Sequence, residues 1–236
     1  MTRTTSAAGS SLRELFDREG SDKGRWYGGL YDVLLQPQRQ AVRCVVEIGI
    51  GTLIPGAESS MVGWAAEHYR PGGSLRAWRD FLPQAEVYGL DVAPDTQFAD
   101  EPRIQTFLCD STAAEQVAGI LRRIARPADL VIDDGLHDVN AQVKTLKNFL
   151  PALRDGGLYV VEDVLPVHVG ALIDELEASH PGCHYFVDRS WGTRVALVIR
   201  KPIGRSAGES AKKRGSLWGR FKEWRRGLPK RSASRP

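Results

Sequence analysis

The sequence predicts an α/β protein, a doubly wound sheet of seven strands that is mostly parallel and ends in an antiparallel hairpin. Strand-sized apolar runs recur from Cys44 onward, and stretches with helical spacing separate them. The last two runs follow each other across a hairpin-length link. A length of 236 residues fits one large domain with a sizeable core, and 42% hydrophobic with 26% charged residues is ordinary for a globular chain.

Taken in order, residues 10–40 read as an N-terminal helical segment. The runs "CVVEIGIG", "EVYGLDV", "IQTFLCD", "ADLVIDDG" and "GLYVVEDV" follow, and their near-continuous apolar character is that of strands covered on both faces of a parallel sheet. Between them, "GSLRAWRDFLP", "AAEQVAGILRRIA" and "VNAQVKTLKNFLPAL" supply crossover helices. "HYFVDRS" and "RVALVIRK", separated by "WGT", make the closing hairpin.

Several classes are excluded. The longest apolar runs fall far short of the roughly 20 residues of a spanning helix, so no transmembrane segment is expected. "MTRTTSAAGSSLRELF" lacks the apolar core of a secretory signal. Cys44, Cys109 and Cys183 are odd in number and mostly inside apolar runs, the usage of reduced core cysteines in a cytoplasmic protein.

Charge is unevenly spread. Residues 201–236 carry twelve Lys or Arg against two Glu, a net of +10, so with a chain total of +3 the first 200 residues sum to −7. The expected organisation is a domain over 1–203 and a basic tail over 204–236. The tail reads as a solvated appendage, or as a basic, aromatic-bearing helix around Trp218, Phe221 and Trp224 for an anionic surface.

In a doubly wound sheet, ligands bind beyond the carboxyl ends of the strands. Those ends here carry Glu47 with Gly49 and Gly51, then Asp91, Asp110 with Ser111, Asp133 with Asp134, and Glu162 with Asp163. Five acidic strand ends in succession point to a site that demands carboxylates. "EIGIG" lets a ligand approach the backbone closely but lacks the third glycine of dinucleotide sites, and no phosphate-binding signature appears. Asp91 is placed for ribose hydroxyls, and Asp110 with Ser111 for an adenine edge. The set suits a nucleoside cofactor without a pyrophosphate, S-adenosylmethionine.

"EIGIG", "GGSLRAWRDFLPQAEVYGLDV", "DDGLH" and "GGLYVVEDV" together resemble the metal-dependent class I methyltransferases that O-methylate macrolide-linked deoxysugars, the mycinamicin type, over roughly residues 12–200. The pattern is also similar to small stand-alone actinobacterial sugar methyltransferases acting on methylated mannose polysaccharides. The resemblance implies a Rossmann-like class I methyltransferase fold. Through "GSDKG" it brings Lys23 towards the methionine carboxylate of the cofactor. It makes the long glycine-bounded connection over 52–73 a lid, with Ser74 and Arg76 at its returning edge, and favours a homodimer.

Asp134, Glu162 and Asp163 end adjacent strands, and three carboxylates crowd one space unless a cation compensates them. A hard divalent ion does so. All-oxygen ligation suits Mg²⁺, with Mn²⁺ or Ca²⁺ alternatives, and no Cys or His cluster favours structural zinc. By resemblance, Asp134, Glu162 and Asp163 are metal ligands and His137 is the general base, with Asp133 facing the cofactor or orienting its neighbours. A sugar hydroxyl is too weak an acid to react unaided near neutral pH, which is why base and ion are both needed.

The expected function is a divalent-metal-dependent transfer of a methyl group from S-adenosylmethionine to a sugar or oligosaccharide hydroxyl. Trp26, Tyr27, Trp64 and Trp191 are candidates for an aromatic wall, and Asp188, Arg189 and Trp191 for shaping the acceptor pocket. The alternatives are a catechol or vicinal-diol acceptor, or a non-catalytic binding module that uses the basic tail. Iron hydroxylase chemistry fits poorly, since its usual ligands are two histidines and a carboxylate.

Overall fold

In a computed structural model of the protein, residues 10–57, 59, 61–62, 68–189 and 192–204 are described. Trp64, Trp191 and the tail beyond Gly204 lie outside these residues, as does part of the 52–73 connection.

Seven strands form one sheet in the order β3-β2-β1-β4-β5-β7-β6. β1 (Cys44–Ile48), β2 (Glu86–Asp91), β3 (Ile104–Leu108), β4 (Ala128–Asp133) and β5 (Leu153–Val164) run parallel. β7 (Val195–Arg200) is antiparallel to both β5 and β6 (His184–Asp188). The hairpin connection covers residues 189–194, longer than "WGT", because β6 stops at Asp188 opposite Ala196. Apolar continuity holds for β1 and β4, buried throughout, whereas the edge strands β3 and β6 leave residues such as Leu108 and Tyr185 exposed.

Helices cover both faces. Cys44, Val46 and Ile48 of β1 pack in one core with Val117, Ile120 and Ile124 of α5 (Ala114–Ile124) and Leu146 and Phe149 of α6 (Val139–Phe149). The same core takes Leu172 and Leu176 of α7 (Val169–Ser179). On the other face lie α4 (Gly73–Phe81) and the N-terminal α1 (Leu12–Arg18), α2 (Lys23–Trp26) and α3 (Gly28–Leu35). Ser11 and Glu14 cap α1 reciprocally, a local reason for the helix to begin there.

Phe16, Tyr31 and Trp78 clamp α1, α3 and α4 together. Trp78 meets each of the other two edge-to-face at 4.8 Å between centroids, and all three are fully buried. Such pairs add about 0.5–1.5 kcal/mol each beyond the burial of their area. This clamp fixes the N-terminal helices over the carboxyl ends of β1, β4 and β5.

The strand order reverses between β1 and β4, both beginning near one edge and ending at the other, and the crevice of a doubly wound sheet opens at such a point. Gly49 and Asp134 follow those two strands.

Candidate active site

Adjacent residues of a regular strand point to opposite faces, so "ED" at the end of β5 could not present both carboxylates to one site without a distortion. The structure supplies it. Pairing of β5 with β7 slips between Val161 and Val164, and Asp163 takes a left-handed φ of 51°. This bulge re-aims the chain. Glu162 stays buried against the N-terminal helices, and Asp163 reaches His137 and Asp134.

At β4, Asp138 caps α6 by accepting from the amides of Asn140 and Ala141, which holds His137 in the turn just before the helix. His137 Nε2 lies 3.2 Å from Asp134 Oδ1 and 3.7 Å from Asp163 Oδ2. Burial works against a charge on this imidazole, but the Asp134 hydrogen bond and the charge of Asp163 outweigh it and raise its pKa. Asp134, His137 and Asp163 each offer one ligand atom, all within 4.8 Å of one another. The carboxylate oxygens of Asp134 and Asp163 suit a hard divalent ion, whereas the His137 nitrogen beside them is a donor that such ions take less readily.

Glu162 stands beside this group and is turned towards other partners. Its Oε2 accepts from Lys23 Nζ at 2.6 Å and its Oε1 from the Tyr31 hydroxyl. Lys23 also donates to Asp134 Oδ2 and lies 3.3 Å from Glu47 Oε1. Burial lowers the ammonium's pKa, but Asp134, Glu162 and Glu47 more than reverse this, so Lys23 is charged. Asp134 is held below the ordinary carboxylate range against its burial by Lys23 and His137. Glu162 shifts upward, from burial first and from the Asp134 charge, despite Lys23. One ammonium therefore leaves this cluster short of positive charge.

Tyr27 completes the set. Its hydroxyl donates to Asp163 Oδ1 at 2.7 Å and accepts from the Asp163 amide at 3.0 Å. Lys23, Tyr27 and Tyr31 thus form a stripe at four-residue spacing, and each member touches at least one of the acids Asp134, Glu162 and Asp163. The four-residue spacing is visible in the sequence, but only the structure shows the three as a unit: Tyr27, a candidate for an aromatic wall, commits its hydroxyl to Asp163.

The expected cofactor residues divide. Gly49 and Gly51 both adopt φ of 79°, and a side chain at Gly49 would run into the Asp134 carbonyl. Asp91 is oriented from two loops, with Oδ2 accepting from the Ile50 amide after β1 and Oδ1 from the Ala93 amide in its own loop, both at 2.9 Å. An ionised carboxylate so held keeps lone pairs for a ligand's hydroxyls. Asp110 Oδ1 accepts from the amide and hydroxyl of Thr112 at 2.9 and 2.7 Å, and the Ser111 hydroxyl pairs with Thr145 at 2.9 Å.

Glu47 and Asp133 lie deeper. Glu47 is fully buried, accepts from the Trp78 indole at 2.8 Å and is paired with Ser74. Asp133 is 2% exposed, and burial pushes its carboxyl up to about 7. The ends of the 52–73 connection are tied down. Thr52 and Leu53 donate to Asp95, and the Tyr69 hydroxyl is bonded to the Ile50 and Gly51 carbonyls. Arg76 at its return is held by Glu101 at 2.7 Å. Asp188 and Arg189 lie at the far end of β6, on the outer side of β7 from β5.

No family model matches the chain. A curated relative from Streptomyces olivaceus, the 8-demethyl-8-(2-methoxy-alpha-L-rhamnosyl)-tetracenomycin-C 3'-O-methyltransferase, is 34% identical over 170 residues, 70% of this chain and 39% of its own length. The mycinamicin VI 2''-O-methyltransferase of Micromonospora griseorubida is 39% identical over 140 residues, 59% of this chain and 31% of its own. Among solved structures, the MycE methyltransferase of the mycinamicin pathway, in complex with Mg, SAH and mycinamicin VI, matches with a TM-score of 0.62 and 28% identity. That match covers 88% of this chain and 58% of MycE. The chain thus spans about a third to two fifths of the length of these curated relatives. Its body has the class I methyltransferase fold, and its homologues are the sugar O-methyltransferases of macrolide and tetracenomycin pathways.

Proposed function

We propose that the chain is a divalent-metal-dependent O-methyltransferase that moves a methyl group from S-adenosylmethionine to a hydroxyl of a sugar. The observation that carries this reading is the convergence of Asp134, His137 and Asp163 beside Glu162, one turn of chain from the glycine-lined crevice between β1 and β4. Homology to enzymes that methylate sugar hydroxyls supports it.

In this reading Asp134, Glu162 and Asp163 hold the ion, and His137 takes the proton from the acceptor hydroxyl. The ion, when bound, makes that hydroxyl more acidic as a Lewis acid. Asp91 holds the ribose of the cofactor, Gly49 and Gly51 admit it to the backbone, and Asp110 with Ser111 flanks its adenine. Ser74 and Glu47 support that side from beneath, and Asp133 orients the turn to Asp134. The 52–73 connection acts as a lid over cofactor and acceptor within a domain spanning 1–203. The acceptor is a deoxysugar carried on a natural product, as the relatives' names describe, or a mannoside.

We also infer a homodimer, cytoplasmic placement and contact of the basic tail with an anionic surface. No helix among the described residues is long and apolar enough to cross a membrane. Calorimetric titration with S-adenosylmethionine and S-adenosylhomocysteine, with and without Mg²⁺, tests both halves of the site when repeated on Asp134→Ala with Glu162→Ala. Cofactor binding with a metal response that the double variant loses is the expected result. No cofactor binding under any condition sinks the reading.

A further inference from the structure

Lys23 sits where two halves of the site meet. Its ammonium occupies Asp134 Oδ2 and Glu162 Oε2, two oxygens on the side proposed to hold a metal. The other oxygen of each acid is engaged elsewhere, Asp134 Oδ1 by His137 and Glu162 Oε1 by Tyr31. Each Glu162 oxygen therefore already accepts one hydrogen bond, and a cation approaching the Oε2 side meets the ammonium while Lys23 stays in place. On the opposite side, 3.3 Å away, Glu47 Oε1 is buried and has no hydrogen-bond partner. A buried carboxylate oxygen held by an ion pair at 3.3 Å but by no hydrogen bond is unfavourable, and a shift of a few tenths of an ångström by the flexible lysine chain would satisfy it. Glu47 belongs to β1, two residues before Gly49 and the glycine turn.

We propose that Lys23 is an exchangeable internal cation: a divalent ion entering at Asp134 and Glu162 displaces the ammonium onto Glu47, so that metal binding shifts positive charge towards the cofactor side of the crevice. The inference rests on the metal and cofactor reading above. Like charges cannot share the same pair of oxygens, and the ammonium is tethered, so it moves to the neighbouring acid whose Oε1 has no hydrogen-bond donor. From there it lies nearer the glycine turn at Gly49, the side on which the reading above seats the cofactor, a molecule that carries a carboxylate of its own. Metal and cofactor consequently strengthen each other's binding, and by linkage the factor is the same in both directions. In this scheme Lys23 is a positioning residue that couples two sites.

Titration calorimetry with S-adenosylhomocysteine and with MgCl₂, each alone and in the presence of the other, reads the coupling directly. In the wild-type chain Mg²⁺ should tighten S-adenosylhomocysteine binding by about fivefold or more, with the same factor on Mg²⁺ affinity. In Lys23→Met the factor should fall to near one while Mg²⁺ binds at least as tightly as before, because the resident competitor is gone. Glu47→Gln, which removes the acceptor charge and keeps the lysine, should also lose the coupling while retaining Mg²⁺ binding, and it carries the test if Lys23→Met does not fold. Wild-type protein that binds both ligands independently overturns the exchange and leaves the methyltransferase reading standing. Wild-type coupling retained in either variant does the same. Wild-type protein that binds neither ligand overturns the reading and the exchange together.

Discussion

The acids that end β1, β4 and β5 share one edge of the sheet with those that follow β2 and β3, and the two groups are held in opposite ways. Glu47, Asp134, Glu162 and Asp163 are held mainly by side chains, those of Lys23, Tyr27, Tyr31, Trp78 and His137. Asp91 and Asp110 are held mainly by backbone amides, those of Ile50, Ala93 and Thr112. The first group is crowded and lacks positive charge, which is the condition for attracting a cation. The second is half-buried, satisfied by backbone amides and still able to accept, which is the condition for recognising neutral hydroxyls. Carboxylates of one sheet edge thus acquire different chemistry from whether backbone amides or side chains orient them.

The sharpest way to break that division is Asp134→Ala. It should abolish the metal response and reduce turnover by about three orders of magnitude, while the cofactor affinity measured without metal changes little. Turnover that stays within about tenfold of wild type would place the ion elsewhere. His137→Ala comes next, with turnover falling about 10²-fold or more and S-adenosylhomocysteine still bound, as removal of a general base requires. An unchanged rate removes His137 from proton transfer.

On the cofactor side, Asp91→Asn should weaken S-adenosylhomocysteine by about 10- to 100-fold, the loss of charge-assisted hydrogen bonds, and leave Mg²⁺ affinity alone. An effect of Asp91→Asn on metal affinity instead would merge the two groups. Tyr27→Phe, which deletes the hydroxyl on Asp163, should cost metal affinity about tenfold with little effect on cofactor, in line with outer-shell partners generally.

The smallest effect is expected away from the crevice. Asp80, although partly buried, is held below the ordinary carboxylate range by Arg79 and Arg18. A depressed pKa contributes stability above the unfolded value and loses it as pH falls through the folded value. Asp80→Asn should therefore flatten the acid limb of the unfolding profile by less than about 1 kcal/mol after solvent screening, with methyl transfer untouched.

Much of this was legible in the chain. The strands follow from near-continuous apolar runs and the helices from spacing near four, and each run quoted from Cys44 to Val164 overlaps a strand. The parts that escaped depend on long-range geometry. No local pattern says that Lys23 sits among Glu47, Asp134 and Glu162, nor that a slip in β5 turns two successive acids to different partners. Nor does composition say that Glu47, a residue beside a glycine turn, would be fully buried beneath Trp78.

The stripe of Lys23, Tyr27 and Tyr31 also bears on how the molecule comes into being. Its contacts bridge 111 to 139 residues of chain, so the helices that carry it wait for β4 and β5 before they find their partners. Contacts of such separation carry a large closure entropy and mature after local ones. Completion of the acidic cluster therefore reports that distant parts of the domain have met, and a chain whose sheet is formed but whose amino-terminal helices are undocked would be folded by most spectroscopic measures and lack that cluster's cationic and phenolic partners.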